Sequence, residues 1–315
     1  ADIFMVAPAS ANVVGKIANG IADDMLTTTI MACKQKKIIA PAMNTNMFEN
    51  PILQDNLKKL ESYGMEVIVP ATGYLACGDV GAGKLPSEEV LLGYILKEIK
   101  YNKDMVGKKV LVTAGPTREA IDPVRFISNH STGKMGYAIA RCAMERGAEV
   151  TLISGPVNIQ PPMFVHVINV VSAKDMYNEV MKVSSDMDII IKSAAVADYT
   201  PQKVSNEKIK KSENDMDLKL DKTDDILRKL GEIKRENQFI CGFAMETENL
   251  LENASAKLVK KNVDMIVANN LRTEGAGFGT ETNIVTLIKK DGNIELPIMT
   301  KDEVAKAILD EIILK

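Results

Sequence analysis

The stretch KKVLVTAGPTREAIDPVRFISNHSTGKMGYAIARCAMERGAEVTLISGP, Lys108 to Pro156, decides the fold. Two apolar runs, KKVLVTAG and GAEVTLISG, flank a glycine-bearing turn and an apolar helical pattern that begins near Gly133. Runs that stay apolar rather than alternating read as strands covered on both faces. A strand, a turn, a helix and a second strand form the repeating unit of a parallel sheet. The turn itself, SNHSTGKMG, has the form that holds phosphate, because the first N–H groups of a helix have no partner inside it. Its spacing matches neither the G-x-G-x-x-G dinucleotide fingerprint nor a Walker A loop. The glycines are Gly133 and Gly136, and Lys134 is followed by methionine. The ligand must therefore be identified elsewhere.

The same alternation continues on both sides. DIFMVAP, KKIIAP and MEVIVP read as strands in the first hundred residues, with a helix over NPILQDNLKKLESYG. After the helical PSEEVLLGYILKEIK and a polar stretch the pattern restarts at Lys108, which puts a domain boundary near residues 100–107. FVHVINV, MDIIIKSAAVADY, QFICGFAMET and VDMIVANNL extend the second sheet. NIVTLIKK and NIELP around Asp291-Gly292 predict a hairpin before a terminal helix over KDEVAKAILDEIIL. The expected class is α/β, with two three-layer α/β/α domains and mainly parallel sheets.

A chain of 315 residues with 46% hydrophobic content is long enough for two cores. A net charge of -3 provides no global positive field for nucleic acid or an anionic membrane. No apolar run approaches the roughly 18 residues that a membrane span requires. The four cysteines, Cys33, Cys77, Cys142 and Cys241, are scattered without a CxxC pair, which disfavours a disulfide framework or structural zinc and suits a reducing cytoplasm. ADIFMVAPAS reads as a buried strand from the first residue, so the chain is expected to begin partway through a domain.

Ligands of open parallel sheets collect beyond the carboxyl ends of the strands. Those ends carry PASAN (Pro8 to Asn12), PAMNTNM (Pro41 to Met47), ACGDVGAGK (Ala76 to Lys84), TAGPTREAIDPVR (Thr113 to Arg125), SAAVADYTP (Ser193 to Pro201), GFAMET (Gly242 to Thr247) and ANN (Ala268 to Asn270). Glycine and asparagine in one such segment could simply turn the chain. Small and polar residues at seven of them point to a backbone approached closely by ligand.

These motifs, taken in order over essentially the whole chain, resemble the bacterial bifunctional phosphopantothenoylcysteine decarboxylase/phosphopantothenate–cysteine ligases of coenzyme A biosynthesis. PASANVVGKIANGIADDML, PAMNTNMF and ACGD are similar to the flavin-dependent decarboxylase signatures. TAGPTREAIDPVRFISNHSTGKMG, AAVADY, KIKKS and GFAMET are similar to those of the ligase. The resemblance implies a flavodoxin-like or Rossmann-like FMN-dependent decarboxylase part at residues 1–103 and a Rossmann-like ligase domain at residues 104–315. It also places the family's phosphate-binding segment and catalytic histidine upstream of Ala1, since His130 and His166 both fall in the ligase half. On that expectation the decarboxylase part alone binds FMN poorly and does not decarboxylate.

For the decarboxylase half the resemblance implies that Ser10 and Asn12 face FMN and that Asn44 bonds the substrate. Cys77 is the expected proton donor beside reduced flavin, since a thiol gives and regains a proton near neutral pH. Cys33, Cys142 and Cys241 read as small buried hydrophobes. For the ligase half it implies CTP, a divalent cation such as Mg2+, 4'-phosphopantothenate and cysteine, which react through an acyl-cytidylate. Lys208 on a polar flap, and Lys257 with Lys261 four apart on a helix, are the expected partners of the triphosphate. Ser193, Ala194, Asp198, Asp225, Ile226 and Phe243 complete the expected nucleotide site, and Asn129 is expected to contact the activated acyl group. No metal ligands are assigned. His130 is open to two readings, a base or a local turn residue. The expected assembly is a homo-oligomer, with a ligase-domain dimer and higher order through the decarboxylase half. Two other classes fit less well. A nicotinamide oxidoreductase lacks its ribose-binding acid after EVTLISGP, and a non-catalytic flavoprotein subunit leaves the ligase signatures unexplained.

Overall fold

The computed structural model describes residues 1–75, 78–211, 216–246, 250–270 and 279–314. The chain divides into two compact units, Ala1–Asn102 and Lys103–Lys315.

The first unit runs β1 (Ile3–Ala9), α1 (Ala11–Asn19), α2 (Met25–Ala32), β2 (Lys36–Pro41), α3 (Thr45–Phe48), α4 (Pro51–Ser62), β3 (Glu66–Val67), β4 (Ala71–Tyr74), β5 (Val80–Lys84) and α5 (Glu88–Ile99). Strands β1, β2 and β3 form a parallel sheet in that order, while β4 and β5 pair as an antiparallel ribbon. Val6 and Ile39 on one face of the sheet pack with Val14 of α1 and Leu53, Leu57 and Leu60 of α4. Ile38 and Ile68 on the other face meet Leu91 and Tyr94 of α5. Helix α4 starts where its sequence says it should: Asn50 Oδ1 accepts from Ile52 N–H at 2.9 Å, and Pro51 occupies the first helical position.

The second unit runs β6 (Lys109–Ala114), β7 (Arg118–Ala120), β8 (Phe126–Ser128), α6 (Lys134–Glu145), β9 (Glu149–Ser154), β10 (His166–Asn169), α7 (Ala173–Val183), β11 (Ile189–Lys192), β12 (Tyr199–Pro201), β13 (Leu220–Lys222), α8 (Ile226–Ile233), β14 (Phe239–Glu246), α9 (Leu250–Lys260), β15 (Met265–Asn270), β16 (Thr282–Asn283), β17 (Val285–Lys289), β18 (Gly292–Glu295), β19 (Met299–Thr300) and α10 (Lys301–Ile313). Its eight-stranded sheet has the order β10-β9-β6-β11-β14-β15-β17-β18. The first six strands are parallel, and the β17–β18 hairpin turns at Asp291-Gly292 as the sequence predicts. Leu111, Ile153, Ile190, Ile240 and Ile266 pack one face against α7, α8 and α9, while α6 and α10 pack together on the other side. Burying each such side chain contributes about 1.5–3 kcal/mol. The three-layer α/β/α class with mainly parallel sheets is what the structure shows.

Three small antiparallel ribbons were not foreseen in this unit: β7–β8, β12–β13 and β16–β19. Each has strands of two or three residues, too short for an alternating pattern to register. The segment after Pro201, expected as a plain polar flap, is thus the connection between β12 and β13.

The glycines of the opening stretch turn out to serve packing. Gly133 caps α6 with φ of 79°, a left-handed conformation that side chains disfavour. A Cβ on Gly136 would lie 2.6 Å from the Ala114 Cβ, so α6 can approach β6 this closely only with glycine there.

Candidate active site

The sheet order reverses direction between β6 and β11, and a cavity lies beyond their carboxyl ends. One wall is Asn129 and the first turn of α6, the opposite wall is Lys192 to Asp198, and Phe243, Asn269, Asn283 and Lys301 complete it. Backbone bonds join the two walls. Ala195 N–H donates to Gly115 carbonyl at 3.0 Å, and Ala195 carbonyl accepts from Thr117 N–H at 3.3 Å. The same carbonyl accepts from Asn129 Nδ2 at 2.8 Å. Thr117 Oγ1 accepts from Ala197 N–H at 3.0 Å, and Thr113 Oγ1 from Ala194 N–H at 3.2 Å.

Of the residues singled out from sequence, Asn129, Ser193, Ala194, Asp198 and Phe243 line this cavity. Asp225, Ile226, Lys257 and Lys261 are not among its lining residues. Asp225 caps α8, accepting from Arg228 N–H at 2.9 Å, and pairs with the Lys261 ammonium. Desolvation pushes the Asp225 carboxyl up, but Lys261 and the Arg228 N–H outweigh it and hold the carboxyl below its usual value. Ile226 is a core residue, 2% exposed. Lys208 is exposed and is likewise not among the lining residues. The flap that carries it is held at Ile209, whose N–H donates to Asp122 at 3.1 Å. His130 is exposed and does not line the cavity.

Lys192 was missed, and it connects the two groups. It ends β11, lines the cavity, and interacts electrostatically with Lys257, Lys261, Asp225 and Asp198. Burial, then the Lys257 charge, lowers its pKa from 10.5 to about 8. The detectable signal was a lysine closing the apolar run DIIIK. An anion entering the cavity would hold the proton on this amine. The stability consequence has a definite sign. Between pH 8 and 10.5 the unfolded chain binds this proton and the folded chain does not, so stability from this group rises with pH across that window. Lys192→Met should therefore stabilise the protein by about 1–3 kcal/mol below pH 8, and the gain should shrink towards pH 10.5. Thermal melts of both proteins at the two pH values test this, and a pH-independent difference contradicts it.

Two further lysines face the same cavity. Lys134, at the first position of α6, pairs with Glu281 and donates to Gly279 carbonyl at 3.2 Å. Lys301, at the first position of α10, is 6% exposed and donates to Thr280 carbonyl at 2.5 Å. Burial first, then the Lys134 charge, lowers the Lys301 pKa. Asn269, 4% exposed, carries a buried Oδ1 without a partner among the described residues, so it can accept from a ligand donor. These residues come from elements distant in sequence, which is why reading motif by motif did not gather them.

In the first unit, Ser10 and Asn44 stand at the ends of the neighbouring strands β1 and β2. Ser10 Oγ accepts from Val13 N–H at 3.4 Å and caps α1, and Asn12 is exposed on its first turn. Asn44 Oδ1 accepts from Asn46 N–H and Nδ2 donates to Asp79, both at 2.8 Å. Thr45 Oγ1 beside them is buried without a partner among the described residues. Cys77 lies outside the described residues. Cys142 and Cys241 are buried, and Cys33 is partly exposed. Among the described residues no group of three histidine, cysteine or carboxylate side chains could hold a metal ion, and no helix is long and apolar enough to cross a membrane.

Sheet order, a strand-end cavity and three lysines lining it define an α/β protein whose second unit carries a candidate anion site. The chain belongs to the DNA/pantothenate metabolism flavoprotein family: residues 105–314 match the C-terminal domain of that name, and residues 1–100 match the Flavoprotein family. It is 52% identical to the coenzyme A biosynthesis bifunctional protein CoaBC of Bacillus subtilis (strain 168), over 99% of this chain and 78% of that protein. It is 44% identical to a cysteine/cysteine sulfinic acid decarboxylase of an unknown prokaryotic organism, over 99% of this chain and 89% of that one. The crystal structure of the C-terminal domain of a coenzyme A biosynthesis bifunctional protein CoaBC covers 68% of this chain and 97% of its own, with TM-score 0.58 and 47% identity.

Proposed function

We propose that the protein is a bifunctional enzyme of coenzyme A biosynthesis, in which residues 104–315 ligate 4'-phosphopantothenate to cysteine at the expense of CTP. Residues 1–103 belong to the FMN-dependent decarboxylase that acts on the ligated product. The observation that carries the ligase reading is the cavity at the strand reversal, where Asn129, Ser193, Ala194, Asp198 and Phe243 share walls with three lysines.

In the ligase reaction the pantothenate carboxylate attacks the α-phosphorus of CTP, forming an acyl-cytidylate and releasing pyrophosphate. The cysteine amine then attacks the acyl carbon, CMP departs and the amine proton is lost as the amide forms. Asn129, held by Ala195, orients the acyl group. Ser193, Ala194, Asp198 and Phe243 hold the nucleotide, while Asp225 and Ile226, expected with them, lie outside the lining of this cavity. Lys208, Lys257 and Lys261 meet charge on the phosphates, with Lys192 and Lys301 adding to that field. A divalent cation such as Mg2+, bound with the nucleotide, would add to the positive field that these lysines supply.

The polar groups at the ends of β1 and β2, including Thr45 Oγ1, buried without a partner among the described residues, suit the polar edge of FMN. When bound, FMN supplies the two-electron oxidation of the cysteinyl thiol that permits carboxylate loss. Ser10 and Asn12 would hold FMN, Asn44 the substrate, and Cys77 would return the proton. We place the enzyme in the cytoplasm as a homo-oligomer. The exposed Met25 and Met31 of α2 and Ile52 of α4 are apolar surface available for assembly. The test of the ligase reading is pyrophosphate release that requires both 4'-phosphopantothenate and CTP.

A further inference from the structure

Two antiparallel hairpins rise from the cavity rim and meet at their tips. The β7–β8 hairpin leaves the rim at Thr117 and returns at Asn129, and both residues bond to the Ala195 carbonyl. The β12–β13 hairpin leaves just after Asp198 and returns at Thr223. Thr223 N–H donates to Asp198 carbonyl at 3.0 Å, and its hydroxyl donates to Ala197 carbonyl at 2.6 Å. At the tip of the first hairpin, Asp122 is 3% exposed although it is charged. Its Oδ1 accepts from Val124 and Arg125 N–H, both at 2.8 Å, and fixes the turn. Its Oδ2 accepts from Arg125 Nε at 3.0 Å and from Ile209 N–H at 3.1 Å. The Arg125 guanidinium, 2.5 Å from Oδ2, donates in turn to Ile209 carbonyl at 2.6 Å. A further backbone bond, Ser205 N–H to Ile121 carbonyl at 3.0 Å, ties the same two tips.

We propose that Asp122 and Arg125 are positioning residues for ligation, fixing the backbone beside Lys208 by gripping both backbone polar groups of Ile209. The proposal rests on the reading of Lys208 given above. Residues 202–208 are exposed except Ser205, so apolar burial cannot hold this segment. Charge-assisted bonds can, because an ionised partner roughly doubles the strength of a hydrogen bond. The Arg125 guanidinium and then the backbone donors hold the Asp122 carboxyl well below the usual carboxylate range, so the clasp stays ionised at neutral pH. The clasp also grips the residue next to Lys208, so its loosening moves that lysine first.

Asp122→Asn separates the turn from the clasp. The amide oxygen can replace Oδ1 and keep the turn, while the NH2 group then faces two donors, Ile209 N–H and the Arg125 guanidinium. Turnover should fall roughly 10- to 100-fold, the cost of misplacing a reacting group by about 1 Å. KM for 4'-phosphopantothenate should stay within about twofold, since an interaction made only in the transition state affects kcat. In the Lys208→Gln background the same substitution should cost nothing further. An equal loss in both backgrounds, or wild-type turnover in Asp122→Asn while Lys208→Gln is impaired, overturns the proposal alone. Normal turnover of Lys208→Gln overturns the Lys208 reading and the proposal with it. If Asp122→Asn fails to fold, Arg125→Lys carries the same cycle, because it leaves the Asp122 turn bonds intact and removes the guanidinium fork.

Discussion

Asn129→Asp should abolish ligation while leaving the protein folded. Asn129 Nδ2 donates to Ala195 carbonyl at 2.8 Å, so an aspartate would set a carboxylate oxygen against a carbonyl oxygen. In the proposed reaction it would also place a negative charge beside the anionic acyl-nucleotide. Two like charges about 4 Å apart at an effective dielectric near 20 repel by about 4 kcal/mol, or roughly 10³ in rate. The structural penalty is smaller, about 1 kcal/mol, because Asn129 is exposed and one hydrogen bond is lost. Pyrophosphate release and a thermal melt on the same sample check both parts, and normal turnover would remove Asn129 from the site.

Lys208→Gln should separate stability from turnover in the same way. The side chain is exposed, so its loss should change stability by no more than about 0.5 kcal/mol. If its ammonium meets the charge growing on departing pyrophosphate in a site drained of water, the contact is worth about 3–4 kcal/mol, and turnover should fall by roughly 10²–10³. Lys211→Gln, exposed on the same flap, is the control and should be milder. Equal small effects at both positions would make the run a solvated charge cluster and shift the role to Lys257 or Lys261.

How far the sequence could be read depends on the range of each signal. The parallel strands were legible because Val110 to Val112 and Ile189 to Ile191 are continuous apolar runs that must be covered on both faces. The β17–β18 hairpin was legible from one dipeptide. The ribbons of two or three residues were not, because strands that short carry no alternating pattern, and contacts such as Ile209 to Asp122, 87 positions apart, leave no local signal. Strand-end reasoning reached the segments that hold Ser193, Ala194, Asp198 and Phe243 because topology alone brings the ends of β11 and β14 together, whereas Asn129 was reached only through the family resemblance. Lys301 and Asn283 were out of reach, since they enter the cavity from the carboxyl-terminal elements beyond the antiparallel edge of the sheet. Lys192 was hidden by its position at the end of an apolar strand. The glycines at 133 and 136 suggested phosphate first, while the structure also requires them for the close contact of α6 with β6.

Ligation driven by CTP through an acyl-nucleotide can be followed in a single assay. The protein is incubated with 4'-phosphopantothenate, cysteine, a divalent cation and each nucleoside triphosphate in turn, and pyrophosphate is followed. Pyrophosphate is expected with CTP, equimolar with CMP and the amide product, and none when 4'-phosphopantothenate is left out. Release of nucleoside diphosphate and inorganic phosphate in place of pyrophosphate, or turnover with another triphosphate but not CTP, would contradict that route.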